Sequence, residues 1–310
     1  MKEDSLRDTF GDFLVKIGSK NSNIVVLDSD LSSSTRTYKF AKKYPDRFFN
    51  MGIAEQNMVG VALGLAISGK IPVVSGFSIF TTGRAWEFIR MACHDNLNVK
   101  IITTHGGIVG EDGSTHNALE DISLMSILPN LTVLVPSDSI ELIQMLEYAF
   151  RMHGPVYIRL PRASFSNIHE ENYNFLLGEP DILKEGSDYC LIGMGYGSAL
   201  AVTNATIFEE ELNCSIKVIN LSSIKPINEE RLFNEVESMK GIVVIEEHNI
   251  YCGFCSIIAR ILSQKQSLPM KFLAINDSFI QSGSREKLLD AYGLNITNIK
   301  DKLLELINRK

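Results

Sequence analysis

The sequence predicts an α/β protein of two domains, each a mainly parallel sheet covered by helices. Three observations carry that prediction: apolar β-branched runs alternate with amphipathic stretches, a polar segment breaks the pattern after Arg162, and a second alternating series follows. The first series is Asn23-Ile-Val-Val-Leu, Ile71-Pro-Val-Val, Val99-Lys-Ile-Ile-Thr-Thr, Thr132-Val-Leu-Val and Val156-Tyr-Ile-Arg-Leu, with Thr82 to Cys93 and Ser139 to His153 as helical stretches between them. Such unalternated runs suit strands buried on both faces. Ala163 to Glu185, rich in Asn, Glu and Ser and holding Gly178 and Pro180, reads as an interdomain connection. Beyond it come Tyr189-Cys-Leu-Ile-Gly, Ile216-Lys-Val-Ile-Asn, Gly241-Ile-Val-Val-Ile and Met270-Lys-Phe-Leu-Ala-Ile. The expected boundaries are a first domain at 1–165, a linker at 166–185 and a second domain at 186–310.

Composition narrows the function classes. With 45% hydrophobic and 22% charged residues in 310, the chain is an ordinary globular protein with room for two cores. A net charge of -7 with scattered bases excludes a nucleic-acid groove or a polybasic membrane patch. The charged N-terminus lacks the apolar core of a signal peptide, so the expected location is cytoplasmic. Met58 to Phe80, the longest apolar stretch, is interrupted by Lys70 and Pro72 and reads as helix, turn and strand, not a membrane span. Of five cysteines only Cys252 and Cys255 are close, and a zinc ribbon needs a second pair, so incidental reduced thiols are preferred over a redox pair. Gly193-Met-Gly-Tyr-Gly-Ser resembles part of a dinucleotide fingerprint, but its third glycine falls one residue early and the next strand ends in Asn220. A plain strand-to-helix turn is favoured there, and no nicotinamide cofactor is inferred.

Three segments carry candidate chemistry. Phe49 to Met58 places Glu55 at the mouth of an uncharged helix, Gln56 to Ser68, stopped by Gly69. The helix dipole favours its anion and burial favours the neutral acid, so this carboxylate is placed to share a proton. The competing reading is a Glu that merely complements a helix N-terminus. Thr104 to Asn117 is a glycine-rich loop after a strand, with His105, Asp112 and His116 able to polarise a hydroxyl, move protons and hold a sugar-like substrate. A metal site or a satisfied polar turn are the alternatives, the irregular spacing being a weak metal signal. Ser75 to Trp86 puts Phe77 and Phe80 between strand and helix, either as core or as a platform for a ring.

Together, Asp28-Ser-Asp-Leu-Ser, Gly52-Ile-Ala-Glu-Gln-Asn, the Phe77/Phe80 segment and Gly110-Glu-Asp-Gly-Ser-Thr-His resemble the pyrimidine-binding domain of transketolases. Leu221-Ser-Ser-Ile-Lys-Pro-Ile, Val244-Ile-Glu-Glu-His-Asn and Asp277-Ser-Phe-Ile-Gln-Ser-Gly resemble their C-terminal domain, so the likeness spans essentially the whole chain. It implies thiamine diphosphate as cofactor, with Glu55 bonding N1′ of the aminopyrimidine and favouring the tautomer that activates the thiazolium. It further implies that Phe80 packs on the pyrimidine, Phe77 lines its pocket, Leu31 keeps the cofactor bent and Asp30 orders the pocket. His105, Asp112 and His116 match residues that contact the sugar, His105 and His116 joining Glu55 as catalytic candidates. Arg7, Ser34 and Arg162 match positions holding the distal phosphate, for which guanidinium is well suited.

Departures from the family refine the expectation. Gly83 replaces a common tyrosine, Gln56 and Asn57 replace the His-Ala of full-length forms, and Cys252 and Cys255 fall where many relatives have glycine. The diphosphate-binding domain, with its Gly-Asp-Gly and metal-holding Asn, has no counterpart in the sequence. The resemblance therefore implies the C-terminal subunit of a split transketolase, whose N-terminal partner chain would hold Mg2+ (or Ca2+) and the diphosphate in an α2β2 heterotetramer. Its reaction would move a two-carbon ketol unit from a ketose phosphate to an aldose. The alternatives are a 1-deoxyxylulose-5-phosphate-synthase-like subunit, which typically has arginine where this chain has Thr104-His105-Gly106-Gly107, a 2-oxo-acid dehydrogenase β-like subunit, and a non-catalytic partner.

Overall fold

The computed structural model describes residues 3–309. The chain divides into two compact units, one containing the residues up to Val109 together with Thr115–Phe175, the other Gly110–Ser114 together with the residues from Leu176 onward.

In the first unit the strands are β1 (Ile24–Asp28), β2 (Phe48–Asn50), β3 (Ile71–Ser75), β4 (Lys100–Thr103), β5 (Thr132–Leu134) and β6 (Val156–Arg159). They lie side by side as β5-β6-β4-β3-β1-β2, and every one of these pairings is parallel. Val26, Leu27, Val73, Val74, Ile101 and Ile102 are fully buried, as strands covered on both faces require. Register aligns the C-terminal ends: Asn50 beside Asp28, Asp28 beside Ser75, and Thr103 beside Arg159. Open parallel sheets present ligand-binding loops at this edge.

The uncharged helix runs Glu55–Ile67, so Glu55 is its first helical residue. Met58, Val59, Ala62 and Leu63 are buried, whereas Gln56, Asn57, Val61 and Gly64 are exposed. The helical stretch expected over Thr82 to Cys93 is two helices, Ser78–Arg84 and Trp86–His94, broken at Ala85, whose ψ of 14° leaves the helical region. At the opposite end of the sheet Lys100 is fully buried; its Nζ donates to the carbonyls of Met152 and Gly154, at 3.1 and 2.8 Å. With no carboxylate beside it, burial lowers its pKa to about 7.

The second unit has β7 (Asp181–Lys184), β8 (Tyr189–Gly193), β9 (Ile216–Asn220), β10 (Gly241–Asn249) and β11 (Met270–Ile275) in the order β11-β10-β8-β9-β7. Only the edge pairing β9 with β7 is antiparallel. The Gly193-Met-Gly-Tyr-Gly-Ser turn opens the helix Tyr196–Leu212, and a Cβ on Gly193 would meet Ser198 N at 2.5 Å. Its glycines thus serve close strand–helix packing, and Ser198 Oγ donates to Asn220 Oδ1 at 2.7 Å. The five cysteines form no disulfide. Cys252 adopts φ 59°, a left-handed conformation that glycine takes at little cost. Among the described residues, no helix is long and apolar enough to cross a membrane.

Candidate active site

The candidate residues of the first unit gather where its strands end. Pairing of β3 with β4 continues beyond both strands: Phe77 bridges Thr104, the Thr104 N–H donates to the Gly76 carbonyl and the Ser78 N–H to the Thr104 carbonyl. That extension sets Phe77 against His105, ring centroids 3.8 Å apart and stacked. His105 has φ 63°, uncommon for a residue with a side chain, and its Nδ1 lies 2.9 Å from Thr104 Oγ1. Gly106 follows because a Cβ there would meet the Arg159 side chain at 2.4 Å. Arg159 in turn pairs with buried Asp121 at 3.0 Å, and the Tyr157 hydroxyl donates to the same carboxylate at 2.7 Å. A fully buried ion pair thus fixes the floor beneath the loop.

His116 closes the aromatic group, edge-on to Phe80 at 5.1 Å and to Phe77 at 6.1 Å. Phe80 also carries the guanidinium of Arg84 at 4.2 Å from its ring centroid. Arg84 Nη1 reaches both oxygens of Glu55, at 3.1 and 3.0 Å. An unbroken series of contacts therefore runs from Glu55 through Arg84, Phe80, His116 and Phe77 to His105.

A positive group adjoins His105. Arg7 Nη1 donates to the Ser34 carbonyl at 3.1 Å, and Arg162 Nη1 to the Val109 carbonyl at 2.8 Å. Among the described residues, Arg7 Nε is buried without a hydrogen-bond partner. Burial first, then the charges of Arg36 and Arg162, lower the Arg7 pKa against a smaller opposing pull from Asp8. Burial first, then Arg7, Arg162 and His116, push the His105 imidazole down to about 3, so it is neutral at working pH. Two guanidinium groups and an unused donor beside a neutral imidazole make an anion-receptive corner.

The other expected residues have definite places. Leu31 starts the short helix that holds Ser34, and its N–H donates to Asp28 Oδ1 at 2.6 Å. Asp28 also accepts from Thr35 and Thr37, each at 2.8 Å, and burial raises its pKa despite these bonds. Asp30 is exposed with φ 66° and accepts from Asn50 Nδ2 at 2.9 Å. Asp112 is exposed on the Gly110–Ser114 segment, which is grouped with the second unit, whereas His105 and His116 belong to the first. Sequence reasoning passed over Arg84; the available signal was an arginine four residues after Phe80, one turn along the same helix face. Among the described residues, no group of three or more His, Cys, Asp or Glu could hold a metal ion.

Comparison with known proteins gives the family. Residues 2–167 match the model of the transketolase pyrimidine-binding domain, and residues 178–299 match that of the transketolase C-terminal domain. A Methanocaldococcus jannaschii protein named as a transketolase C-terminal section is 40% identical over 98% of this chain and 97% of its own length. The 6-deoxy-6-sulfo-D-fructose transketolase subunit of a Clostridium species is 33% identical over 100% of this chain and 97% of its own. A solved structure described as a split-gene transketolase, an inactive β4 tetramer, superposes with TM-score 0.88 at 40% identity, covering 98% of both chains. The chain also matches 1-deoxy-D-xylulose-5-phosphate synthases, of which it spans about half the length. Matched in both domains, the chain belongs to the transketolase family.

Proposed function

We propose that the chain is the C-terminal subunit of a split, thiamine-diphosphate-dependent transketolase that moves a two-carbon ketol unit from a ketose phosphate to an aldose. The observation that carries this reading is the carboxylate of Glu55, 3% exposed at the first turn of an uncharged helix and linked through Arg84 to the ring of Phe80. A buried acid beside an aromatic face is the donor set an aminopyrimidine needs, so the residues fit the cofactor. Glu55 would hydrogen-bond the pyrimidine, Phe80 would pack on it, and Phe77, Leu31 and Asp30 would shape the pocket. When bound, thiamine diphosphate supplies the carbon nucleophile that accepts the ketol unit.

Around it, neutral His105 would hydrogen-bond the sugar without competing as a cation, and His116 would move a proton at a substrate oxygen. Asp112 would read a hydroxyl. Arg7, Arg162 and Ser34 would hold the distal phosphate, the orphaned Arg7 Nε being a donor already removed from water. The diphosphate and its Mg2+ would be held by an N-terminal partner chain, in an α2β2 assembly. The test is ketol transfer from xylulose 5-phosphate to ribose 5-phosphate with thiamine diphosphate and magnesium, by this chain alone and mixed with its diphosphate-domain partner. Turnover in the mixture and none in the chain alone is the expected result; turnover by the chain alone would refute the split-subunit assignment.

A further inference from the structure

Glu55 and Phe80 share a single neighbour. Arg84 sets Nη1 3.0 and 3.1 Å from the carboxylate oxygens of Glu55 and lays its guanidinium 4.2 Å from the Phe80 ring centroid. The acid is 3% exposed, but the arginine side chain is 49% exposed. One half-exposed cation thus occupies both groups that the proposed function gives to the aminopyrimidine. A guanidinium nitrogen set against both carboxylate oxygens takes part of their acceptor capacity. A ring nitrogen approaching those oxygens would compete with the arginine for them.

The surroundings permit departure. Gly83 precedes Arg84, and nothing lies within 4 Å of the place its Cβ would occupy. An arginine has the rotamer freedom to reach solvent from there.

We propose that Arg84 is a latch on the cofactor pocket, pairing with Glu55 while the aminopyrimidine is absent and giving way when that ring enters. It is a positioning residue that opposes binding, and the inference rests on the reading of Glu55 given above. The test is calorimetric titration of thiamine diphosphate, with magnesium, into the chain assembled with its diphosphate-domain partner. Wild type is compared with Arg84→Met, which keeps the apolar stem, and Arg84→Lys, which keeps the charge but loses the planar stack. Trp86, the chain's one tryptophan, donates from Nε1 to the Leu124 carbonyl at 2.9 Å, so its emission in the isolated chain reports that this region is intact in each variant.

Arg84→Met is expected to bind about tenfold tighter than wild type, with Arg84→Lys between them. Equal or weaker binding by Arg84→Met, with wild type binding normally, would overturn the latch and leave the functional reading standing. Absence of binding by the wild-type assembly would overturn both.

Discussion

The two units are built on one plan, a mainly parallel sheet with loops at the C-terminal strand ends, yet they use those ends differently. In the second, the strand ends are filled by the unit's own groups. Gly193 and Gly197 bring helix and strand backbones together, Asn220 accepts from Ser198, and Glu246 Oε2 accepts from the Phe254 N–H at 2.6 Å. In the first, the same edge carries a left-handed histidine, stacked and edge-on aromatic rings, a buried acid paired with a half-exposed arginine, and an arginine nitrogen with no hydrogen-bond partner among the described residues. Architecture alone therefore does not make the site. What separates the units is the kind of group at the strand ends: rings and guanidinium groups in the first, close backbone packing in the second, where Glu246 Oε1 too is buried without a hydrogen-bond partner among the described residues.

The sharpest difference in anion affinity is expected at Arg162. Arg162→Ala should raise KM about ten- to a hundredfold for a phosphorylated ketose donor and much less for its unphosphorylated counterpart, the loss of a charge-assisted hydrogen bond being about 1.5–3 kcal/mol. Steady-state kinetics with both donors checks this. Equal effects would remove the phosphate corner from the contrast between the units.

A smaller effect concerns stability, at the other end of the first unit's sheet. Lys100 has a folded pKa lowered to about 7, against an ordinary value of 10.5, so between those pH values the unfolded chain binds more protons than the folded one. Stability supplied by this position must rise as pH climbs through that window. Thermal melts at pH 7 and pH 9 should show wild type gaining on Lys100→Met at the higher pH, with turnover little changed. A constant gap would mean that Lys100 stays charged in the fold.

Much of this was legible in the sequence, for reasons that differ by residue. The strands were readable because strands buried on both faces must be continuously apolar, as Val25 to Leu27 and Ile101 to Ile102 are. Glu55, Phe80, His105 and His116 stood out as polar or aromatic residues at the ends of such runs. Arg7 and Arg162 were reachable only through resemblance, because a lone arginine on a helix or after a strand carries no local signal; electrostatic coupling to His105 appears only once the chain is folded. Arg84 was missed for a related reason, since its importance lies in reaching a carboxylate 29 residues away. The break at Ala85 was also hidden, because alanine is a strong helix former and nothing at that position announces a change of helix axis.

Glu55 in the first unit and Glu246 in the second are both buried acids, and giving the two the same substitution tests the central claim most directly. Glu55→Gln and Glu246→Gln should be compared for kcat in the assembled enzyme and for thermal midpoint in the isolated chain. Glu55→Gln removes the exchangeable proton from the proposed cofactor site and should lower kcat about 10²- to 10⁴-fold with little change in melting. Burial raises the pKa of Glu246, and a glutamine keeps the acceptor for Phe254, so Glu246→Gln should leave kcat within about twofold and move only the midpoint. Near-normal turnover by Glu55→Gln, or an equal loss in both variants, would contradict the account.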